Sequence, residues 1–199
     1  MNGSRVGGRV SSFLPFSERN LILTGAIGVT QTQIGRELAA ALSMPFVNVD
    51  QIIAERLDMT IDEIRAYYGE TRLKSIEAEI VEETALRRST VIRVSGRTLI
   101  NGDNYAYLAA TGMVFCLMVD LDAMLQRLHI SMGARYHDPK DRALALGELE
   151  RERMVHRLDD LHRMNVTRMT TDEIVATLAT TWRSLIVRSS TPAPSNNDG

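Results

Sequence analysis

"NLILTGAIGVTQTQIGRELAAAL", residues 20–42, decides how the rest of the chain is read. Leu21, Ile22 and Leu23 form an apolar strand that runs into a glycine-bearing turn, and an amphipathic helix follows at once. Phosphate-binding loops on this plan carry G-x-x-x-x-G-K-[ST], in which backbone N–H groups cradle phosphates and the Lys supplies charge. Here Gly25 and Thr32 match, but Thr30 stands at the second Gly and Gln31 at the Lys. A unit charge ~4 Å from a phosphate oxygen is worth about 4 kcal/mol at an effective dielectric near 20. Losing most of that from a transition state slows transfer roughly a thousandfold. Thr30 adds a second obstacle, because a β-branched residue disfavours backbone angles that are open to Gly. The stretch is therefore either a weak phosphate cradle or an ordinary strand–turn–helix.

Outward from this loop, strands and helices alternate, which predicts a parallel sheet with helices on both faces. Ile34, Leu38 and Leu42 give the first helix a stripe facing that sheet. "PFVNVD" reads as a second strand, "QIIAERL" and "TIDEIRAYYG" as helices, the latter opened by a Thr60–Glu63 capping box. "LKSIEAEIVEETALRR" is a long amphipathic helix, "STVIRVSG" a third strand, "MVFCLMVD" a fourth and "DAMLQRLHI" a helix. Residues 131–147 are polar, with Gly133, Asp138-Pro139 and Gly147, and suit a mobile lid. "ELERERMVHRLDDLHRM" reads as a charged helix and "TTDEIVATLATTWRSLIV" as the closing one.

Hydrophobic residues make up 44% of the 199 and charged residues 24%, the profile of a soluble globular domain. The net charge of −2 gives no basic field for nucleic acid. No apolar run approaches the ~20 residues of a membrane span. The lone Cys116 excludes an internal disulfide and fits the cytoplasm. Residues 1–19 read as a flexible arm without a signal peptide, 20–188 as the domain and 189–199 as a disordered tail. Of 23 basic residues only Lys74 and Lys140 are lysines, so an Arg is the expected source of any charge replacing the loop Lys.

Over roughly residues 20–185 the chain resembles the shikimate kinase family. "MPFVNVDQIIAERLDMTIDEIRAYYGETRLKSIEAE", residues 44–79, is similar to the family's Asp-x-Asp strand, Met-Ser/Thr-Ile turn, Gly-Glu pair and Phe-Arg-x-x-Glu helix. "VIRVSGRTLINGDN", residues 91–104, stands where the family has a strand and a Gly-Gly-Gly segment. The resemblance implies a three-layer α/β P-loop kinase fold and, in an active member, ATP- and magnesium-dependent phosphorylation of shikimate for aromatic amino acid biosynthesis.

Several of the residues implied by the resemblance are altered. Gly25, Gly28, Thr30, Gln31 and Thr32 would meet the nucleotide, with Thr32 also a weak magnesium ligand. Asn48 and Asp50 fall on the Asp-x-Asp pair, and Asn is a poor ligand for Mg²⁺. Asp50 would bind substrate hydroxyls, or cap the following helix. Lys74 replaces the Arg that pairs with the substrate carboxylate, and Glu77, one turn on, is either a family residue or a solvated one. Ser95, Gly96 and Arg97 replace the three glycines; Gly96 and Arg97 remain substrate-site candidates. Arg135 matches a lid arginine and would be catalytic in an active enzyme, while Arg151 and Arg153 compete for a second. Arg93, inside an apolar strand, needs a carboxylate partner or an anionic ligand.

Three functions follow as expectations. The first is a non-catalytic protein with degraded motifs that binds a small anion as a sensor or regulator, its protein partner unspecified. The others are an active shikimate kinase with compensating arginines, and a purely structural subunit.

Overall fold

The structure is a computed structural model describing residues 14–25 and 30–190, apart from the side chains of residues 30, 189 and 190. Gly28, the Thr30 side chain and most of the expected arm and tail lie outside that description. β1 (Asn20–Gly25) leads to α1 (Thr30–Leu42), β2 (Phe46–Asn48), α2 (Val49–Leu57) and α3 (Ile61–Ala85). β3 (Val91–Arg93), α4 (Gly96–Leu99), α5 (Asn104–Thr111), β4 (Gly112–Met118) and α6 (Leu121–Met132) follow. α7 (Pro139–Arg153), β5 (His162–Asn165) and α8 (Thr171–Ser190) complete the chain. The strands form one parallel sheet in the order β2-β3-β1-β4-β5.

Each face of the sheet carries its own core. Leu21, Leu23, Val91, Phe115 and Leu117 pack against Ile34 and Leu38 of α1 and Leu178 and Trp182 of α8. Ile22, Ile92, Val114 and Cys116 point the other way, onto Ile53 of α2, Leu73, Ile76 and Ile80 of α3, and Leu108 of α5. Strands covered on both sides carry near-continuous apolar runs, which is why "LILTG" and "MVFCLM" do not alternate. Each Leu or Ile buried this way contributes roughly 1.5–3 kcal/mol. The expected α/β architecture is present.

Local signals account for most boundaries. Thr60 Oγ1 accepts from Glu63 N–H while the Glu63 carboxylate accepts from Thr60 N–H, the reciprocal cap read from the sequence. Gly69, at φ 80° and ψ 165°, breaks α3 into the two helices expected there.

Several expectations need correcting. "DDLHRM" does not continue a helix: α7 stops at Arg153, a 3₁₀ turn follows over Met154–Arg157, and β5 begins at His162. Parallel pairing to Phe115 through Met118 overrides the charged, helix-like composition. Residues 131–147 hold the end of α6, a 3₁₀ turn (Gly133–His137) and the start of α7, capped by the Asp138 carboxylate. β2 is only three residues long, because Asn48 caps α2 through Asp50 N–H. Residues 16–18 of the expected arm form a 3₁₀ turn whose Phe16 ring lies 4.8 Å from that of Trp182.

Candidate functional site

Strand order reverses beside β1: the chain leaves β1 for β2 on one side and reaches β4 on the other from β3. In open parallel sheets the crevice beyond the carboxyl ends of the strands at such a point is where ligands bind. A cavity of about 670 Å³ opens there. Its charged lining includes Arg65, Arg93, Arg97, Arg127 and Arg151, opposed by Asp50, Asp62, Glu148 and Glu152.

Arg93 is the last residue of β3, half-buried, and faces α1 as the alternation with Val91 requires. Its Nη1 donates to Asn48 Oδ1 at 3.2 Å and to the Asp50 carboxylate. Its Nε and Nη2 donate to Gln31 Oε1 at 3.4 and 3.3 Å. The expected carboxylate partner is Asp50, and the Gln31 side chain meets the guanidinium from α1. Asp50 is not the cap of α2; Asn48 is, and Asp50 is free to pair from the first turn.

Gln31 is 5% exposed, and its Nε2 has no acceptor among the described residues. An amide donor this buried normally has a partner. Thr32 Oγ1 accepts from Asn48 Nδ2 at 3.4 Å, which joins the start of α1 to the end of β2.

The Ser95–Leu99 segment is a capped helical turn. Ser95 Oγ accepts from Thr98 N–H at 3.1 Å and opens α4. Gly96 is closed over by α7: its N–H donates to Glu152 Oε2 at 2.7 Å, and an added Cβ would lie 2.4 Å from the Glu152 carbonyl oxygen. Burial pushes the Glu152 carboxyl above its ordinary value, and Asp50 pushes the same way, while the Gly96 bond and Arg93 oppose. Arg97 turns to Glu77 at 3.3 Å. Glu77 is not a solvated helix residue; it is 2% exposed and also accepts from Thr98 Oγ1 and Asn101 Nδ2. Burial raises its carboxyl despite the Arg97 charge beside it.

Other candidates lie apart from this cluster. Lys74 is exposed on α3 and is not among the cavity-lining residues; Arg65, which the sequence reading passed over, is. Arg65 pairs with Asp62 at 2.7 Å and Glu70 at 3.2 Å. Arg135 is exposed, pairs with Asp141 at 2.9 Å and does not line the cavity. Arg151 lines it and Arg153 does not. No His, Cys, Asp and Glu group that could hold a metal ion occurs among the described residues.

The shikimate kinase family model matches residues 27–183. The chain belongs to the shikimate kinase family. It is 32% identical to the shikimate kinase of Stenotrophomonas maltophilia strain R551-3 over 169 residues, covering 82% of this chain and 94% of that one. The match to the Thermodesulfovibrio yellowstonii shikimate kinase is 31% over 110 residues and spans 55% of this chain and 64% of the relative's length. Among solved structures, shikimate kinase from Acinetobacter baumannii in complex with shikimate aligns with TM-score 0.65 at 22% identity, covering 88% of this chain and 97% of that one. Family membership and fold agree with the sequence reading.

The family implies magnesium, and the residues present do not fit it. Mg²⁺ favours carboxylate and other oxygen ligands in near-ideal octahedral geometry. Here the Asn48 and Asp50 oxygens already hold the Arg93 guanidinium, and Thr32 Oγ1 faces an N–H donor.

Proposed function

We propose that this shikimate-kinase-family chain binds a small anion, a shikimate-like carboxylate or a nucleotide phosphate, as a sensor or regulator without efficient phosphoryl transfer. The observation carrying the reading is the buried Gln31 amide, whose Nε2 has no acceptor among the described residues and lies beside the Arg93 guanidinium in the cavity lining. An unsatisfied buried donor costs about 1–3 kcal/mol, which a ligand oxygen would recover. Against turnover stand the absence of an ammonium at position 31 and the engagement of Asp50 and Asn48 by Arg93.

Active ATP-dependent shikimate phosphorylation is the second reading. The relatives' name, shikimate kinase, favours it, as does the position of Arg93, whose permanent charge stands beside Gln31.

Calorimetric titration with ADP, ATP and shikimate, together with a coupled phosphorylation assay, separates the readings. Binding without turnover is expected. Turnover near ~1 s⁻¹, the low end of ordinary enzymes, would establish the kinase. Neither binding nor turnover would leave a structural subunit.

A further inference from the structure

We infer that Arg93 is a built-in cation standing in the place of a divalent metal, so that the cleft takes its anion as the free species and not as a magnesium complex. The inference rests on the anion-binding reading above and narrows its ligand.

Three oxygen-bearing side chains converge from the start of α1, the end of β2 and the start of α2: Thr32, Asn48 and Asp50. A guanidinium has five N–H donors, no acceptor and a charge it does not lose. That of Arg93 spans the cluster, with Nη1 on Asn48 and Asp50 and both Nε and Nη2 on Gln31. Asn48 fixes the arrangement from the other side. Its Oδ1 accepts from both Arg93 and the Asp50 N–H, so its Nδ2 turns to Thr32. The hydroxyl that would ligate a metal therefore faces an amide donor, and a divalent ion reaching Asp50 would meet a like charge at contact distance. The cation is anchored at the end of a central strand. Gln31 Nε2, without an acceptor among the described residues, offers donors next to it. Together they present positive charge and N–H groups to an anion oxygen with no metal between.

The test uses the full chain. Manganese titration followed by electron paramagnetic resonance reads the metal place directly, and ADP calorimetry in chelator or in excess magnesium reads the ligand form. Wild type is expected to bind no Mn²⁺ on its own. Its ADP affinity is expected to be unchanged or weaker in excess magnesium, which withdraws free ADP. Arg93→Ala is expected to gain a one-to-one Mn²⁺ site and to bind ADP about tenfold tighter with magnesium than without. Arg93→Lys, which keeps a cation, is expected to exclude Mn²⁺ as wild type does. Stoichiometric Mn²⁺ binding by wild type, or ADP affinity raised about tenfold by magnesium, overturns the inference even if Arg93→Ala does not fold. A folded Arg93→Ala without a Mn²⁺ site overturns it too. If ADP binds in neither condition, the nucleotide side of the proposed function fails, while the Mn²⁺ results still decide the place of Arg93.

Discussion

Arg93 Nη1 reaches both the Asp50 carboxylate and Asn48 Oδ1, and so ties the last residue of β3 to the N-terminal end of α2. The side chains are 16% and 28% exposed, so the pair is neither a surface bridge nor a fully dry one. Breaking a fully buried pair costs about 3–5 kcal/mol, because the remaining charge is stranded. Exposed pairs contribute ~0–1 kcal/mol. Arg93→Ala should therefore lose about 1–3 kcal/mol in urea unfolding, without abolishing the fold. Asp50→Asn should cost less, since the amide still accepts from the guanidinium. A loss for Arg93→Ala within the ~0.5 kcal/mol of an ordinary surface change would mean the tie carries no stability.

Glu152 gives a pH-dependent counterpart. Burial raises its folded carboxyl above the ordinary 4.5. Between the unfolded and folded values the native state holds more protons, so this group's contribution falls as pH rises. It is fully present below 4.5 and gone above the raised value. Glu152→Gln keeps an acceptor for Gly96 N–H but has nothing to titrate. The stability of that variant relative to wild type should thus climb with pH from acid to neutral and then level off. His156, whose imidazole is pushed down by burial, is common to both proteins and cancels in the difference. A flat difference across that window would place the Glu152 carboxyl in water.

Gly25 should prove indispensable to the sheet whatever it does for a ligand. Its φ is +108°, and a Cβ there would lie 2.2 Å from the Leu117 carbonyl oxygen of β4. It would also lie 2.7 Å from the Leu117 N, and neither backbone atom can withdraw without parting the strands, so Gly25→Ala should cost more than about 3 kcal/mol or leave the chain insoluble. Thermal unfolding checks this. A variant that melts with wild type would show that the turn adapts.

The frame of the molecule was open to sequence reading because its signals are local. Strand runs covered on both faces, the Thr60–Glu63 cap and the alternation of elements need no knowledge of distant contacts. β5 was not legible: "HRMN" follows directly on a charged, helix-like run, and only pairing with Phe115–Met118 makes it a strand. The site was half legible. Gln31, Asn48 and Arg93 each stood out as departures from a pattern and Asp50 as a match to one, but their mutual bonding depends on side chains brought together across β2, α2, β3 and α1. Glu152 gave no signal at all, since its partner Gly96 lies far away in sequence and its own neighbours are an ordinary charged helix. Arg65 pairs with its own sequence neighbours Asp62 and Glu70, and only the fold places it in the cavity lining.

Restoring the loop Lys should fail for a reason the geometry makes specific. Arg93 Nε and Nη2 lie 3.4 and 3.3 Å from Gln31 Oε1, an acceptor. Gln31→Lys exchanges that acceptor for an ammonium facing a guanidinium. Two like charges ~4 Å apart repel by about 4 kcal/mol at an effective dielectric near 20, less what the Lys recovers by swinging into the cleft. The single variant should lose ~1–2 kcal/mol in urea unfolding and gain no shikimate phosphorylation. In an Arg93→Ala background the same Lys meets Asp50 instead, now without its partner, and each substitution repairs the damage of the other. The double variant should therefore be about 1–3 kcal/mol more stable than the sum of the singles predicts, the range seen for residues in direct contact. It is also the form in which phosphoryl transfer has its best chance, with an ammonium at position 31 and the Asp50 and Asn48 oxygens no longer held by the guanidinium. Unfolding curves for the four proteins and a coupled assay on each decide the matter. Additivity within ~0.5 kcal/mol would mean that Arg93 and residue 31 do not sense one another, and that the charge on β3 is no replacement for the one missing from the loop.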